Sequence, residues 1–558
     1  MLPLAAAAAA AAARAAPAPT AAYDCDVLIA GGSLASLAAA ITAANVSADL
    51  TVCFTDPTDW PGGQMTASGV PAIDFGVANK AHTQNVPASL RQLLYGPLMP
   101  GGVNLGSCWV SSKCFQPQVA LQAWIMPTLA AFPNLVFLPR TTVTAATRDA
   151  ATGAVTSVSG VQREPPPGAT GWEVLLSAQL ADWYDPAPSA AFPAKTAVTL
   201  RVKPGGVAIE ATEFGDLLVT SGAPFAQGVE APTETSAASL TSCGQGITLP
   251  FYVTYGTAPA PVPDPVPPGA KGLQNWTMQG EPWAKVWTYR RVHATSSNSS
   301  ETLVLPGDLS CQNIGGGNDY IDGYILLDSA SPEFRAQLAP GAWRGGVNLT
   351  TLAAAEQRAF AFYHFYTTNT SVDRARGHLY MNATPAGTAS GLAKMPYMRD
   401  SRRSAAGLGG YRLTAEDLWT PDPARPDNAT ATRWNDTVGI GVYFYADIHR
   451  QSNESCPYPD YIHAGRPVLP YYFPLRALTV DSAPNLLVAG KSISQTFFAN
   501  AATRLHPEEW TTGAAAGAIA ALMVQRGWAG TADALAHVPD VQALLASERV
   551  GLPLEWTL

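Results

Sequence analysis

Apolar residues fall into short unbroken runs near the amino terminus, separated by small residues. Residues 26–30 and 50–54 are mostly apolar, and the alanine-rich segment 33–49 between them has the composition of a helix. Strands that are apolar on both faces are typical of parallel sheets covered by helices. The pattern therefore predicts a strand, a helix and a second parallel strand, joined in a βαβ unit.

The first turn of this unit carries glycine, and the second strand ends on an acid. Gly31 and Gly32 close the first strand, and Asp56 closes the second. A helix that starts at such a turn directs backbone N–H groups at a diphosphate, and the acid accepts ribose hydroxyls. Ser33 and Ser36 replace two glycines of the G-x-G-x-x-G fingerprint, so an ordinary strand-to-helix turn is the alternative.

Later segments repeat the combination of an apolar strand with small residues. Residues 206–216 predict a strand that runs into an Ala-Thr turn, and residues 485–490 predict a short strand ending on glycine. Residues 512–522 then begin a helix of glycine and alanine. A strand followed by a glycine-rich helix start is again an arrangement that faces phosphate.

Taken in this order, the segments resemble the FAD-dependent oxidoreductase family whose nucleotide-binding domain is of the glutathione-reductase type. The likeness extends to residues 58–66, 396–403, 447–449 and 504–510, and so covers most of residues 23–530. It implies FAD as the cofactor and a fold of the α/β class with a Rossmann-like FAD-binding domain.

The resemblance also implies which residues contact FAD. The first glycine turn would hold the adenosine half, the turn at 62–64 would pass near the flavin, and the last glycine helix would close over the ribityl chain. The expected cofactor contacts are Gly31, Gly32, Ser33, Asp56, Gly62, Gly63, Gln64, Thr212, Gly490, Gly513 and Gly517.

These segments predict a discontinuous FAD-binding domain with a mixed α+β substrate or cap domain. Alternating runs at 155–158 and 172–176 predict a β-meander, and helical spacing in the cap is clearest from Leu352 to Tyr366. The expected divisions are a signal peptide at 1–22, FAD-binding segments at 23–145, 195–235 and 470–530, a β-meander insertion at 146–194, a cap domain at 236–469 and a C-terminal tail at 531–558.

Composition and charge narrow the class of partner. The chain has 558 residues, of which 47% are apolar and 13% charged, as expected for a compact globular protein. Its net charge of -9 and the lack of a basic run argue against nucleic acid. A small-molecule substrate is the expected partner.

The amino terminus has the composition of a signal peptide. Residues 1–13 are apolar and contain nine consecutive alanines, and Arg14 and small residues follow. The run is too short to span a bilayer, so no stable membrane anchor is expected. Because a basic start is missing, a low-complexity alanine tract is the alternative.

Glycosylation signals strengthen the prediction of a secreted or secretory-pathway protein. Asn-x-Ser/Thr sequons occupy nine of the seventeen asparagines, and such acceptor sites belong on surface loops of secreted proteins. The sequons are at Asn45, Asn275, Asn298, Asn348, Asn369, Asn382, Asn428, Asn435 and Asn453.

Seven cysteines fit an oxidising compartment. Cys108 and Cys114 are close enough in sequence to bridge a short loop, whereas Cys53, inside a predicted buried strand, is expected to be an apolar filler. The other pairings stay open. No spacing of histidines and cysteines is typical of a metal site, so no metal is expected.

Two histidines are candidate catalytic residues, because flavin oxidation needs a group that removes a heteroatom proton. His449, next to Asp447 in sequence, is a candidate base, with a hydrogen-bonded core histidine as the alternative. His506 lies just before the glycine helix, and a loop histidine ordered by Glu508 or Glu509 is the alternative.

Two adjacent arginines are candidate anion anchors. Arg403, or its neighbour Arg402, is expected to bind an anionic substrate or the cofactor phosphate through paired hydrogen bonds. The prediction for the whole chain is a FAD-dependent oxidoreductase that oxidises a small organic substrate by hydride transfer to flavin N5. O2 is one candidate acceptor, and a dehydrogenase with another acceptor is the alternative.

Two further functions stay open at this point. A non-catalytic secreted glycoprotein that keeps the flavoprotein scaffold is favoured by Ser33 and Ser36 in the phosphate turn. A polysaccharide-acting enzyme with a structural flavin is the second.

Overall fold

A computed structural model describes most of the chain. Most of the predicted signal peptide and four of the sequons, at Asn275, Asn369, Asn428 and Asn453, lie outside the described residues. The described residues are 19–74, 83–96, 106–111, 113–230, 239–257, 266–269, 273, 280, 282–296, 298–300, 302–368, 378–424, 430–452, 456, 458 and 466–557.

The strands are numbered in chain order. They are β1 (Thr20–Ala30), β2 (Val52–Thr55), β3 (Leu135–Leu138), β4 (Thr141–Arg148), β5 (Val155–Glu164), β6 (Ala194–Glu210), β7 (Phe225–Ala226), β8 (Val229–Glu230), β9 (Ser239–Leu240), β10 (Ile247–Thr248), β11 (Phe251–Tyr255), β12 (Arg291–His293), β13 (Leu309–Gln312), β14 (Asp319–Tyr320), β15 (Leu379–Met381), β16 (Arg403–Ser404), β17 (Thr437–Gly441), β18 (Tyr445–Ala446), β19 (Arg466–Pro467), β20 (Tyr471–Pro474) and β21 (Leu486–Val488).

The helices are numbered in the same way. They are α1 (Leu34–Val46), α2 (Ala88–Tyr95), α3 (Pro117–Ala120), α4 (Met126–Ala130), α5 (Leu176–Trp183), α6 (Asp216–Thr220), α7 (Trp283–Thr288), α8 (Pro332–Gln337), α9 (Leu349–Thr368), α10 (Glu416–Trp419), α11 (Phe497–Thr503), α12 (His506–Arg526), α13 (Thr531–Ala536) and α14 (Val538–Ala546).

A central sheet joins three distant parts of the chain. β3, β2, β1 and β6 lie side by side in this order and run parallel, and β21 pairs with β6 in parallel. The start, the middle and the end of the sequence thus contribute strands to one sheet. This confirms the predicted α/β class with a Rossmann-like sheet built from discontinuous segments.

Two helices cover this sheet in backbone contact with each other. A Cβ atom on Gly513 of α12 would lie 2.1 Å from the carbonyl oxygen of Ala35 in α1, and one on Gly517 would lie 2.3 Å from that of Ala39. Only glycine allows such an approach. The contact aligns the first turns of α1 and α12.

The β-meander prediction is correct for one run and wrong for the other. β4, β5 and the first half of β6 form an antiparallel meander that includes residues 155–158. Residues 172–176 are not a strand. The Glu173 carboxylate accepts hydrogen bonds from the backbone N–H groups of Thr170 and Gly171 at 2.7 and 3.0 Å, which makes a turn, and α5 begins at Leu176.

The cap contains a second sheet and a long helix. β12, β13, β11 and β15 form an antiparallel sheet in this order. Helix α9 spans Leu349–Thr368, which confirms the helix predicted from Leu352 to Tyr366. The C-terminal tail carries α13 and α14, and Gly551 accepts a hydrogen bond from Ala88 N at 3.0 Å. Within the described residues, no helix has the length and apolar character needed to cross a membrane.

Three disulfides cross-link the described chain. Cys108 pairs with Cys114, as predicted, and Cys243 pairs with Cys456. The prediction for Cys53 is wrong, because it pairs with Cys25. These two cysteines lie on neighbouring parallel strands, and their Cα atoms are 5.7 Å apart, within the usual range for a disulfide. Cys311 is a buried free thiol.

This pairing predicts a definite alkylation pattern. In protein denatured without a reductant, we expect iodoacetamide to label Cys311 alone, and after reduction all seven cysteines. Peptide mass spectrometry measures the labelling. Label on Cys25 or Cys53 before reduction would show that the link between β1 and β2 does not form.

Candidate functional site

The turn after β1 places the start of α1 in the centre of the molecule. Gly32 has a φ of 145°, and its N–H group donates to Ser36 Oγ at 3.1 Å. Ser33 caps the helix, because its Oγ accepts a hydrogen bond from Ser36 N and donates to Ala211 O. The two serines thus provide hydrogen-bond acceptors for backbone N–H groups of the turn, and Ser33 links the end of β1 to the loop after β6.

The first N–H group of α1 donates to an anion. Leu34 N lies 3.1 Å from Glu509 Oε2, and the other carboxylate oxygen of Glu509 is bound by Lys491 Nζ. Lys491 Nζ also lies 3.0 Å from Glu213 Oε2. All three charged side chains are buried. The start of α1 therefore binds an anionic group, the Glu509 carboxylate, with the cation of Lys491 beside it.

Burial shifts the pKa values of this cluster. Burial alone would lower the pKa of Lys491, but the carboxylates of Glu213 and Glu509 raise it above its ordinary value. Burial raises the pKa of Glu213 to about 7, although Lys491 opposes the shift. The lysine thus stays charged between the two carboxylates.

Asp56 offers a buried oxygen with no donor. Its Oδ1 accepts hydrogen bonds from Thr58 N and Thr58 Oγ1, both at 2.8 Å. Its Oδ2 is buried and has no hydrogen-bond partner among the described residues. Burial raises the pKa of Asp56 to about 7. Such an oxygen is expected to meet a hydroxyl donor of a ligand.

The turn at 62–64 lies directly on the start of α1. Gly62 and Gly63 have φ values of 118° and 50°, and a Cβ atom on Gly63 would lie 2.5 Å from Leu34 N. Gln64 Nε2 donates to Arg504 O at 3.1 Å, and its Oε1 is buried with no partner among the described residues. The turn thus links the helix start to the loop before α12.

The remaining predicted cofactor residues make hydrogen bonds in neighbouring turns or lie in the contact between α1 and α12. Thr212 Oγ1 accepts a hydrogen bond from Asp216 N at 2.8 Å, at the turn into α6. Gly490 has a φ of 63°, and its N–H group donates to Thr512 Oγ1 at 3.0 Å. Gly513 and Gly517 face α1, as described above, so their missing side chains serve the contact between the helices.

A cavity of about 150 Å³ lies beside the turn at 62–64. The start of α12 and Val70 form part of its wall, and Val70 N donates to Gln64 O at 2.9 Å. The lining residues are Val70, Ala72, Asp74, Val110, Tyr289, Arg290, Asn313, Gly315, Tyr397, Arg399, Tyr443, Asp447, His449, Arg504, Leu505 and His506.

His449 lies between two carboxylates in this wall. Its Nδ1 is 2.6 Å from Asp319 Oδ2, and its Nε2 is 3.0 Å from Asp447 Oδ2. Burial would raise the pKa of Asp319, but Arg399 and His449 hold it well below its usual range. Burial would also raise the pKa of Asp447, but His449 and Arg504 lower it. His449 thus has a carboxylate on each of its two ring nitrogens.

Two arginines of the wall are paired. Arg399 Nη2 lies 2.9 Å from Asp319 Oδ1, and Arg504 Nη2 lies 3.5 Å from Asp447 Oδ2. Arg504 Nη1 also donates to Tyr397 OH at 2.5 Å. These pairs fix both carboxylates around His449.

His506 reaches the same cavity in a neutral state. Burial lowers its pKa to about 3, and its Nε2 donates to Val70 O at 3.1 Å. Its Nδ1 is buried with no partner among the described residues. Glu508 does not order this ring, because it accepts hydrogen bonds from Val442 N and Tyr443 N.

The predicted anion anchors Arg402 and Arg403 lie elsewhere. Arg403 Nη2 donates to Glu230 Oε1 at 3.1 Å, and Arg402 Nη1 donates to Phe214 O at 2.7 Å. Both side chains are fully buried in these contacts. Among the described residues, the arginines that line the cavity include Arg399 rather than Arg402 or Arg403.

Comparison with models of protein families shows to which family the chain belongs. The model of the family described as FAD dependent oxidoreductase matches residues 26–167 and 173–545. The chain belongs to this family. It is therefore an oxidoreductase whose cofactor is FAD, and the non-catalytic alternative is not supported. No curated protein matches the chain.

Several solved structures match the chain at low similarity. The quinol fumarate reductase FrdA of E. coli is 14% identical, with a TM-score of 0.31, and the match covers 94% of this chain and 74% of that chain. Adenylylsulfate reductase of Archaeoglobus fulgidus is 12% identical, with a TM-score of 0.29 and coverages of 95% and 74%. The p-nitrophenol 4-monooxygenase PnpA of Pseudomonas putida DLL-E4 is 11% identical, with a TM-score of 0.22, and the match covers 46% of this chain and 50% of that chain. Likenesses this weak say nothing about the reaction.

The residues at the start of α1 fit the cofactor of the family. The Glu509 carboxylate already occupies an anion position on Leu34 N, and Lys491 supplies a cation beside it. Asp56 Oδ2 supplies a buried acceptor for a hydroxyl. These are the groups that a diphosphate and a ribose require.

Sequence reasoning missed the cluster of Glu213, Lys491 and Glu509. Glu213 follows the predicted contact Thr212, and Lys491 follows Gly490. A charged residue directly after a phosphate-facing turn was the available signal. Arg290 and Asp319 had no such signal, because they lie in cap segments without a recognised motif.

The raised pKa of Asp56 predicts how stability depends on pH. Its proton stabilises the fold fully below the ordinary aspartate pKa near 4, and this contribution is lost as the pH rises through about 7. In protein freed of flavin, the free energy of unfolding should therefore fall as the pH rises from 4 to 7. We expect Asp56→Asn to make this fall less steep by up to about 1.4 kcal/mol per pH unit. Urea unfolding between pH 4 and pH 7 measures it.

The matched control for this experiment is Asp24→Asn, which changes an exposed carboxylate of the neighbouring strand β1. We expect it to leave the slope unchanged. If Asp56→Asn has the same slope as the original protein, the carboxylate is not buried in the way described.

Proposed function

We propose that the start of α1, Lys491 and Asp56 hold FAD, bound non-covalently. The diphosphate would take the anion position that Glu509 occupies on Leu34 N, and Lys491 would balance its charge. Asp56 Oδ2 would accept a ribose hydroxyl. The support is that one amide, one cation and one unpaired acceptor, from three distant segments, meet at a glycine turn.

We further propose that the cavity beside the turn at 62–64 binds the substrate. Its volume of about 150 Å³ is that of a site that holds a molecule of about the size of benzene. FAD, when bound, would supply a two-electron acceptor for a hydride from the substrate carbon. Val70 of the cavity wall is hydrogen-bonded to Gln64, in the turn predicted to lie near the flavin, and this contact carries the proposal.

The pair of Asp447 and His449 is the proposed proton acceptor. Asp447 faces the cavity with 39% of its side chain exposed, whereas Asp319, behind His449, is buried. A proton that leaves a substrate hydroxyl or amine would pass to the pair of Asp447 and His449, whose facing atoms are 3.0 Å apart. Asp319 holds the ring through Nδ1, so that Nε2 stays directed at Asp447.

We propose O2 as the final electron acceptor, with hydrogen peroxide as the product, and the secretory pathway as the location. Three disulfides support an oxidising compartment. The sequon asparagines Asn45, Asn298 and Asn435 are exposed, as a glycan acceptor requires.

Loss of the Asp56 carboxylate is expected to weaken cofactor binding. Asp56→Asn removes one charged hydrogen-bond acceptor, so the Kd for FAD should rise about ten- to hundredfold. Titration of flavin fluorescence with protein freed of flavin measures it. Asp24→Asn is the control, and equal affinities for the two variants would show that Asp56 does not contact FAD.

Substitution of the proton acceptor is expected to slow the reaction without loss of flavin. For Asp447→Asn and His449→Asn we expect kcat to fall about 10²- to 10⁴-fold, while the visible flavin spectrum persists. Bleaching under argon with a substrate found by a peroxide-coupled screen measures this. His537→Asn changes an exposed histidine and serves as the control. Unchanged kcat in both variants would remove this pair from the reaction.

A further inference from the structure

Arg290 differs from the other two arginines of the cavity. Arg399 is paired with Asp319, and Arg504 is paired with Asp447. Arg290 Nη1 donates to the carbonyl oxygen of Asn313, and its Nε is buried with no hydrogen-bond partner among the described residues. The Nε atoms of Arg399 and Arg504 are likewise without a partner, so what distinguishes Arg290 is that, within the described part of the chain, no carboxylate is in ion-pair contact with it.

The cap sheet holds this guanidinium in place. Arg290 directly precedes β12, and its carbonyl oxygen accepts a hydrogen bond from Cys311 N of β13 at 3.0 Å. The guanidinium carbon lies 4.4 Å from the centre of the Tyr289 ring. These contacts hold the half-buried guanidinium of Arg290 in one position, so little side-chain freedom would be lost when a ligand binds. A planar guanidinium binds a planar anion such as a carboxylate well.

Two of the carboxylates around the cavity pair with Arg399, Arg504 and His449. The lining contains three arginines and His449 with two carboxylates, Asp74 and Asp447, and the buried Asp319 behind the wall is a third carboxylate that pairs with Arg399 and His449. Asp447 is bound by His449 and Arg504, and Asp74 has a partner of its own. Asp74 lies close enough to Arg290 to raise its pKa, but among the described residues Arg290 is the cavity arginine with no carboxylate at ion-pair distance.

We propose that the substrate is a small carboxylate that carries a hydroxyl or amino group, with its carboxylate on Arg290. This inference rests on the proposed function and names the substrate class of the same cavity. The volume of about 150 Å³ limits the molecule to about six to eight non-hydrogen atoms.

The reaction on such a substrate balances as follows. The C–H bond and the O–H or N–H bond break, and a C=O or C=N bond forms. The hydride, with its electron pair, goes to FAD, which is reduced, and the proton goes to the pair of Asp447 and His449. The carboxylate stays unchanged on Arg290, and so serves only to orient the molecule.

The test compares lactate with lactamide, which has the same shape and hydroxyl group but no charge. The shift of Tm with ligand concentration measures binding to the holoenzyme. We expect lactate to bind at least about tenfold more tightly than lactamide. Arg290→Gln should weaken lactate binding about ten- to hundredfold and leave lactamide binding unchanged.

Two further variants keep this test decisive. Arg201→Gln removes an exposed arginine that pairs with Asp24, and it should keep the preference for lactate. Arg290→Lys keeps the charge and should keep the order of the two ligands even if Arg290→Gln does not fold. Equal affinities of the original protein for lactate and lactamide, or an unchanged preference in Arg290→Gln, would overturn the inference.

The outcomes separate this inference from the proposed function, because binding is measured without turnover. Preference for lactate in a protein that is never bleached by any donor under argon would support the carboxylate site and contradict the oxidation. Bleaching by neutral alcohols or amines, with no preference for lactate, would support the oxidation and contradict the carboxylate site.

Discussion

The backbone N–H group that opens α1 is buried in the centre of the molecule, and it must face an acceptor. In this chain the acceptor is Glu509, which is more than 470 residues away in sequence and 3.1 Å away in space. This one hydrogen bond requires α12 to lie on α1, and Gly513 and Gly517 allow the helices to approach that closely. The position of the cavity follows, because its wall includes the start of α12.

The same constraint explains why charged residues are buried around the turn. A lysine between two glutamates is costly to bury unless each partner is satisfied, and Lys491 reaches both Glu213 and Glu509. The cluster brings together the segments after β6 and β21 and the first turn of α12. A diphosphate carries the same sign of charge as Glu509, and in the proposed site it would take the position of that carboxylate on Leu34 N.

Sequence patterns were sufficient for the elements whose signals are local. The βαβ unit, the glycine turns, the long helix of the cap and the link between Cys108 and Cys114 each depend on residues close together in the chain. The pairing of Cys53 with Cys25 was missed, because a cysteine in an apolar strand has the same pattern whether or not its neighbouring strand offers a partner.

The site was predictable only in part for the same reason. His449 was found through its sequence neighbour Asp447, but Asp319 comes from a strand 130 residues earlier. Arg403 was chosen from a run of charged residues, and only the fold shows that it is committed to Glu230, whereas Arg399 reaches the cavity. Which arginine of such a run lines a cavity depends on packing between distant segments, which no local pattern records.

A structure of the purified protein with FAD tests the central claim most directly. We expect the diphosphate within hydrogen-bond distance of Leu34 N, a ribose hydroxyl on Asp56 Oδ2, and the Glu509 carboxylate displaced from the helix start. FAD bound elsewhere, with Glu509 still on Leu34 N, would contradict the role assigned to the start of α1.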